Sequence, residues 1–501
     1  MDVGELLHFK PEMALKRGLE EEEEEKERTG RKRGRLEARG LGPLPPSHLN
    51  SVSHVTSART QKIIEEKLME LEETEAGEGT DGPLDEVKLK KMILGFEKRV
   101  LKNQELRIKF PDDPRKFMES EIDLNEAVEE LHVVATAPEL YPVLVELGTV
   151  KSLLSLLSHD NTDIAIATVD LLQEMTEVEE LQEVEGAETL VGALIEGQVV
   201  TILVHNLQRL DETQKLEADG VHNSLGIFEN LAEVSPEVCA EAGPGGLLAW
   251  LLKRLRAKLA FDANKLYASE ILAICIQGHE ENRRLLGEMD GIDVLLQQLA
   301  VYKRHDPPTS EELEMMENLF DTLCACLMLT DNRELFLRGE GLQLMNLMLR
   351  EKKLSRNGAL RVLDHALTGI DGADNCNKFV EILGLRTIFP LFMKTPSKHG
   401  KKGLTKDQAE NLSEDELYLR RLDGGLFTLQ LVDYIMLDVC ATGPPSIKRR
   451  VLKILNLRNA SVKTIKNIMR EYASNLGDSN TEEQAEEQDK ILDLLDKFQN
   501  T

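Results

Sequence analysis

In the segment Gly291-Ile292-Asp293-Val294-Leu295-Leu296 a glycine is followed by apolar residues, and this pattern recurs along the chain. Six such runs begin at intervals of 43 to 50 residues. Their glycines are Gly148, Gly197, Gly246, Gly291, Gly341 and Gly384. Patterns of helical period fill the sequence between them. The spacing therefore predicts a repeat in which each glycine opens a helix that faces the core.

A helical repeat of about 40 to 47 residues is typical of armadillo and HEAT proteins. Each repeat contacts only its neighbours, so a chain of 501 residues can fold without one large core. Hydrophobic residues make up 41% of the chain and aromatic residues only 4%, which suits helices packed through leucine and alanine. We expect an all-α, armadillo-type helical solenoid with N-terminal capping helices and a disordered N-terminal tail. Such folds mostly bind other macromolecules.

Composition divides the chain into five regions. Residues 1–84 are charged and poor in apolar side chains, which predicts a disordered tail. Residues 85–147 have the pattern of N-terminal capping helices, and residues 148–395 that of armadillo-like repeats. Residues 396–415 read as a polar linker, and residues 416–501 as a C-terminal helical region.

The overall charge favours a basic partner. The formal net charge is −29 and the isoelectric point is about 4.9. Affinity for a phosphate backbone needs clustered lysine and arginine, so this balance argues against general nucleic-acid binding. Six cysteines without metal-ligand spacing indicate reduced core thiols in an intracellular protein. The sequence lacks an uninterrupted apolar run long enough to cross a membrane, so we expect no membrane association.

Candidate binding residues lie on the third, longest helix of each repeat, whose polar side faces the groove in this architecture. Acidic and amide side chains recur there four residues apart, which places them on one helix face. The candidates are Asp170 with Glu174, Glu229 and Asn230 with Glu233, Glu270, Glu317 and Asn318 with Asp321, and Asp364. Aligned along residues 140 to 395, they would bind basic peptides in a salt-sensitive way. An ordinary solvated face with the same composition is the alternative.

Two basic clusters in the tail resemble a two-part nuclear import signal. The first is Lys16 and Arg17, and the second, 13 residues further on, contains Arg31, Lys32, Arg33 and Arg35. A chance basic patch in a charged tail would look similar, because such signals are short. The clusters favour a nuclear location.

Signatures of catalysis are weak. The segment His279-Glu280-Glu281-Asn282-Arg283 begins like a metalloprotease helix but lacks the second histidine. Cys324 and Cys326 point to different sides of a helix, so one metal ion cannot readily take both. We expect a protein that is not an enzyme and uses neither a cofactor nor a metal.

Several longer runs resemble one family, that of the beta-catenin-like armadillo proteins. The resemblance extends from about residue 83 to residue 498. Runs that carry it are Lys102-Asn103-Gln104-Glu105-Leu106-Arg107-Ile108-Lys109-Phe110-Pro111, Glu217-Ala218-Asp219-Gly220-Val221-His222-Asn223, Phe261-Asp262-Ala263-Asn264-Lys265-Leu266-Tyr267, residues 339–352, and Tyr418-Leu419-Arg420-Arg421-Leu422-Asp423.

The resemblance implies a nuclear scaffold associated with the spliceosome through the NineTeen complex, and hence a role in pre-mRNA splicing. Partners in the family carry basic segments of the nuclear-localisation type. They include the cell-division-cycle-5-like splicing factor, other components of the NineTeen complex and, in vertebrates, an antibody-diversifying cytidine deaminase.

The chain departs from related patterns in two ways. Importin-type grooves use tryptophan and asparagine ladders, whereas this chain has a single tryptophan, Trp250. In addition, a helical stretch typical of the family is shortened near residues 398–414. That shortening predicts reduced cover for Phe389, Leu391, Phe392 and Met393.

Two other functions stay open at this point. An importin-like transport adaptor would also bind a carrier through its tail. A structural subunit that contacts RNA would use the basic C-terminal helices, which contain Lys448, Arg449 and Arg450. The same helices could instead pair with acidic ones or mediate self-association.

Overall fold

Helices make up every regular element that is described in the computed structural model of the chain. The described residues are 84–177, 187–351, 353–392, 418–419, 421–457, 461–476 and 482–499. The prediction of an all-α protein is confirmed. The predicted tail, apart from Leu84, and the predicted linker at 396–415 lie outside these residues.

The chain divides into two compact units between Trp250 and Leu251, within the region predicted as one run of repeats. The N-terminal unit contains α1 (Glu86–Lys109), α2 (Met118–Leu131), α3 (Tyr141–Glu146), α4 (Thr149–Leu156), α5 (Thr162–Met175), α6 (Ala187–Glu196), α7 (Val199–Leu207), α8 (Lys215–Val234) and α9 (Glu237–Glu241). Short 3₁₀ turns cover Pro114–Lys116, His132–Thr136 and Pro138–Leu140. Helix α10 (Leu247–Arg256) begins before the division and ends after it.

The C-terminal unit contains α11 (Ala263–Gln277), α12 (Glu280–Glu288), α13 (Gly291–Leu299), α14 (Ser310–Cys326), α15 (Thr330–Arg338), α16 (Gly341–Glu351), α17 (Ser355–Leu367), α18 (Ala373–Glu381), α19 (Leu385–Phe392), α20 (Phe427–Thr442), α21 (Pro445–Leu457), α22 (Val462–Ser474) and α23 (Glu482–Gln499). Ala300–Lys303 and Ile370–Gly372 are 3₁₀ turns, and a π-helical turn, Leu422–Leu426, precedes α20.

The long helices of successive repeats pack side by side in each unit. In the N-terminal unit α2 packs on α5 and α5 on α8, and in the C-terminal unit the series is α11, α14, α17 and α20. Their inner faces are apolar, and Leu172, Phe228, Leu319 and Leu363 are fully buried. The long helices of each unit are therefore held together through buried apolar side chains.

Two of the glycines that open the repeats, Gly341 and Gly384, are also required by packing. At Gly341 the left-handed backbone conformation belongs to the preceding residue, Glu340, with a φ of 59°. The glycine itself makes room for a ring, since a β-carbon on Gly341 would lie 2.2 Å from Phe336. Gly384 has the same relation to Phe379. Here the repeating glycine is required by close packing.

In the C-terminal unit, an asparagine and an arginine near the start of α12 and of α15 bond to the end of the long helix that precedes each of them. Asn332 of α15 donates through Nδ2 to the backbone carbonyl of Cys326, at 3.0 Å, and to that of Arg283, at 2.9 Å. The neighbouring Arg333 donates through Nε to the carbonyl of Leu327, at 2.6 Å. At the end of α11, Asn282 donates to the backbone carbonyl of Cys275, and Arg283 donates to that of Ile276. These bonds satisfy carbonyls that a helix end leaves without intrahelical donors.

The end of the repeat region is better covered than the sequence predicted. Leu391 and Phe392 are only 7% and 6% exposed, because α20 packs against α19. The prediction of reduced cover is therefore wrong for these two residues. Phe389 is half-buried, and Met393 lies outside the described residues.

Helix α20 with its preceding turn is the most apolar long segment of the described chain. Among the described residues, Gly424–Thr442 is the one helix long and apolar enough to cross a membrane by length and composition, and 72% of it is buried inside the structure. The pair α6 and α7 passes the same test together but is bent by 67°. Burial of this extent is that of a core helix. All six cysteines are also buried, as predicted for core thiols.

Candidate peptide-binding faces

In the N-terminal unit, Asp170 and Glu174 lie on the polar side of α5, and each has a partner on a neighbouring element. Asn223 of α8 donates through Nδ2 to Asp170 Oδ1 at 2.8 Å. His132 Nδ1 lies 2.7 Å from Glu174 Oε2. Burial raises the pKa of Asp170, and the Asn223 hydrogen bond acts in the opposite direction. Both carboxylates are thus fixed in position, with Asp170 half-buried and Glu174 exposed.

Helix α8 carries the next candidates on the turns that follow Asn223. Glu229 and Asn230 are half-buried, and Glu233 is exposed one turn further on. Residues four apart share a helix face, so the Glu229 and Glu233 carboxylates point to the same side of α8. The pair is thus carried by the helix that packs on α5.

In the C-terminal unit, the predicted pair Glu317 and Asp321 is bridged by an arginine. Arg361 of α17 reaches across to α14, where its Nη2 lies 2.5 Å from Glu317 Oε2 and its Nη1 contacts Asp321 Oδ1. Burial raises the pKa of Glu317, while the Arg361 charge lowers it. The two carboxylates are 41% and 37% exposed, so solvent still reaches them.

Two further candidates of this unit lie on the adjoining helices. Asn318 of α14 donates through Nδ2 to Ser269 Oγ of α11 over 3.5 Å, a distance at the limit of a hydrogen bond. Glu270, beside Ser269, is half-buried. These residues lie at the contact of α11 with α14, next to the bridged pair.

Asp364 of α17 was predicted to extend the row, but its surroundings differ from those of the other candidates. Its side chain is half-buried, and its Oδ1 is enclosed without a hydrogen-bond partner among the described residues. Burial, followed by the nearby carboxylates Asp438 and Glu487, raises the pKa of Asp364 well above its usual range. It therefore offers less negative charge to a ligand than an exposed aspartate does.

Reasoning from the sequence missed the side chains that hold the candidates in place, namely His132, Asn223 and Arg361. The signal for Arg361 was present, because it lies one helical turn before Asp364 on the same long helix. A sequence search restricted to acidic residues does not detect an arginine at that position. The two basic clusters of the tail lie outside the described residues.

The packing of long helices in series defines a helical repeat protein. The family model described as "Catenin-beta-like, Arm-motif containing nuclear" matches residues 65–413 and 400–470. The chain belongs to this catenin-beta-like family, and it is accordingly a nuclear armadillo scaffold. The resemblance and the fold class inferred from the sequence are both confirmed.

Curated relatives agree over most of the chain. The protein called beta-catenin-like protein 1 in Rattus norvegicus is 51% identical, with 99% of this chain and 100% of the relative covered. Its alignment has 578 positions, so the relative carries residues without a counterpart here. Beta-catenin-like protein 1 of Homo sapiens is 55% identical, with 83% and 87% covered. A designed armadillo repeat protein is 13% identical and has a TM-score of 0.38 over 56% of this chain and 99% of that one.

Proposed function

We propose that the protein is a non-enzymatic nuclear adaptor of the spliceosome-associated NineTeen complex, which binds Lys/Arg-rich segments of splicing factors and so acts in pre-mRNA splicing. Membership of a nuclear armadillo family supports the class of protein. The resemblance described above supplies the complex and the partners, including the cell-division-cycle-5-like factor. The ligand chemistry is argued from the acidic faces of the long helices.

The observation that carries the proposal is the recurrence of carboxylates four residues apart on helices that pack in series. Asp170 and Glu174 lie on α5, which packs on α8, the helix that carries Glu229 and Glu233, in a chain with a net charge of −29. The partner of Asp170 is an amide, so its negative charge is held in place without being neutralised. Such a face is complementary to a peptide rich in ammonium and guanidinium groups.

The affinity must come from several contacts at once. One exposed ion pair contributes only about 0.2–1 kcal/mol. Helices fixed in series hold several carboxylates at constant spacing, which lets an extended basic segment contact more than one of them. Binding should weaken steeply as salt is added, because exposed charges are screened beyond about 8–10 Å at physiological ionic strength.

The experiment is a fluorescence titration of a labelled Lys/Arg-rich peptide into the full chain. The variant Glu229→Lys with Glu233→Lys reverses the pair on α8. Its control, Glu188→Lys with Glu237→Lys, makes the same change of net charge at exposed positions of α6 and α9. We expect at least about a tenfold loss of affinity in the first variant and little change in the control, since two repelling charges replace two attracting ones.

Equal losses in both variants would mean that the peptide responds only to net charge, and the acidic face would then be rejected. Circular dichroism must first establish that both variants keep the helical content of the parent chain. An importin-like role stays a prediction that rests on the tail: it requires additional binding to a carrier, which deletion of residues 1–84 would abolish.

A second candidate function, contact with RNA, is favoured by one observation: Arg449, Arg450 and Lys453 of α21 are exposed. The test is a salt-dependent gel-shift with single-stranded RNA. Binding that is lost on changing Arg449→Glu and Arg450→Glu would support it. If the parent chain does not bind RNA at low salt, the adaptor function stands alone.

A further inference from the structure

In the C-terminal unit, the acidic face formed by Glu317 and Asp321 already contacts a cation, the side chain of Arg361. Arg361 lies in α17, the long helix that packs on α14, which carries the pair. A single guanidinium contacts one oxygen of Glu317 and one of Asp321. Its side chain is 27% exposed, so the bridge lies at the surface of the helix layer and is open to solvent.

We propose that Arg361 is an internal competitor that sets the affinity of this face for basic peptides. This inference rests on the proposed function. In the absence of ligand the Arg361 guanidinium occupies Glu317 and Asp321, and a lysine or arginine of the bound peptide takes its place. The α14 pair is then available to a peptide only after Arg361 moves away.

The chemistry of the contact supports exchange. A guanidinium has five N–H donors in a planar fork, and a peptide arginine presents the same fork. When a peptide arginine replaces Arg361, contacts of the same kind are broken and formed. The net gain in the free energy of peptide binding at this position is therefore small while Arg361 is present. If the carboxylates are free before the peptide binds, no bond to Arg361 has to be broken. Such a site is pre-organised for the peptide.

Flexibility of the competitor is compatible with this exchange. Arg361 bonds to the pair through the end of its long side chain, and α14 and α17 also pack closely elsewhere, since Gly358 of α17 lies against the buried ring of Phe320 of α14. Loss of the bridge therefore leaves the helix contact itself in place. If the bridge were purely structural, removal of the Arg361 charge would instead weaken peptide binding or abolish it.

The test uses the full chain and the labelled Lys/Arg-rich peptide. Arg361→Met keeps the apolar part of the stem and removes the charge. We expect about two- to fivefold tighter binding, the equivalent of one recovered ion pair. Arg338→Met is the matched control, because Arg338 pairs with Glu334 at 2.9 Å in an exposed contact on α15. It should leave the affinity nearly unchanged.

A third variant identifies the position of the gain. Glu317→Gln and Asp321→Asn added to Arg361→Met should abolish the improvement, whereas the same two changes with Arg361 present should have little effect. Unchanged or weaker binding in Arg361→Met, at a melting temperature equal to that of the parent, would overturn the inference.

The outcomes for the two proposals are separable. If neither the parent chain nor Arg361→Met binds the peptide at low salt, the proposed function fails and this inference fails with it. If the parent binds and loses affinity through Glu229→Lys and Glu233→Lys, but Arg361→Met brings no gain, only the competitor is rejected. Should Arg361→Met melt below the parent, Arg361→Gln, which retains a hydrogen-bond donor, repeats the measurement.

Discussion

A β-carbon on Gly341 would lie 2.2 Å from Cε2 of Phe336. The ring of Phe336 is fully buried and has no room to withdraw. We predict that Gly341→Ala destabilises the C-terminal unit by about 1–3 kcal/mol, the usual cost of overpacking a core. Urea unfolding followed by circular dichroism measures this change.

Gly192 supplies the contrast for that prediction. It lies inside α6, is exposed, and would have no atom within 4 Å of an added β-carbon. Gly192→Ala should therefore stabilise the N-terminal unit by about 0.5–1 kcal/mol, since alanine favours a helix interior. Equal effects of the two changes would mean that the Phe336 contact does not decide the cost.

Asn332 should be required for stability, although it is remote from the acidic faces. Asn332→Ala leaves the Cys326 and Arg283 carbonyls without their side-chain donor, and we expect a loss of about 1–3 kcal/mol. The exposed Asn377 on α18 is the control, because Asn377→Ala should change the free energy of unfolding by less than about 0.5 kcal/mol. Similar losses at both positions would contradict this role.

Asp438 should make the stability of the C-terminal unit depend on pH. Burial raises its pKa to about 7, with the Gly369 hydrogen bond opposing and the Glu487 charge adding to the shift. The side chain is only 3% exposed. Below pH 4 both states bind the proton, and between about pH 4 and 7 the folded state binds more protons than the unfolded state. Stability from this group therefore falls as the pH rises through that range.

Asp438→Asn removes this titration. The variant should gain stability over the parent as the pH rises from 4 to 7, by about 1–3 kcal/mol, and the difference should then stay constant. Urea melts at a series of pH values measure the difference directly. Parallel curves for the two proteins would show that Asp438 ionises as freely in the folded state as in the unfolded state.

Lys448 should stabilise the last helix and not serve as a free cation. Its Nζ donates to the Lys497 carbonyl at 3.0 Å and lies 5.3 Å from the centre of the Phe498 ring. Lys448→Ala should speed amide exchange over residues 491–499 and cost about 1 kcal/mol, as expected for a cation at a helix C-terminus and over a ring. Lys453→Ala on the same helix is the control, because Lys453 is exposed.

The repeat could be predicted from the sequence because apolar periodicity and glycine spacing report directly on helix packing. Gly291 and Gly341 do open helices α13 and α16. The reason for the glycine could not be predicted, since a contact such as that of Gly341 with Phe336 appears only when the helices are placed. The division between Trp250 and Leu251 has no counterpart in the glycine spacing either.

The candidate acidic residues illustrate the same limit. Helical spacing correctly placed Glu317 and Asp321 on one face of α14, because that relation is local. Whether such a pair is open depends on the neighbouring helix, and Arg361 lies 40 residues from Asp321 along the chain. Asp364 has the right spacing too, but the carboxylates near it come from α20 and α23. Pairings of this kind depend on tertiary structure, which the spacing of acidic residues along the sequence does not reveal.

The Asn332 bonds also determine where this chain can be cut or spliced. Helix α14 ends at Cys326, but the carbonyls at its end are bonded by donors that lie six residues further on, in α15. A module transplanted with its end at Leu327 would leave these carbonyls bare, whereas one that extends through Arg333 would carry its own closure. Insertions, deletions and chimaeras of such repeats should therefore be tolerated best when their junctions fall after the asparagine–arginine pair, as a junction at the next opening glycine does, and not in the turn that follows the long helix.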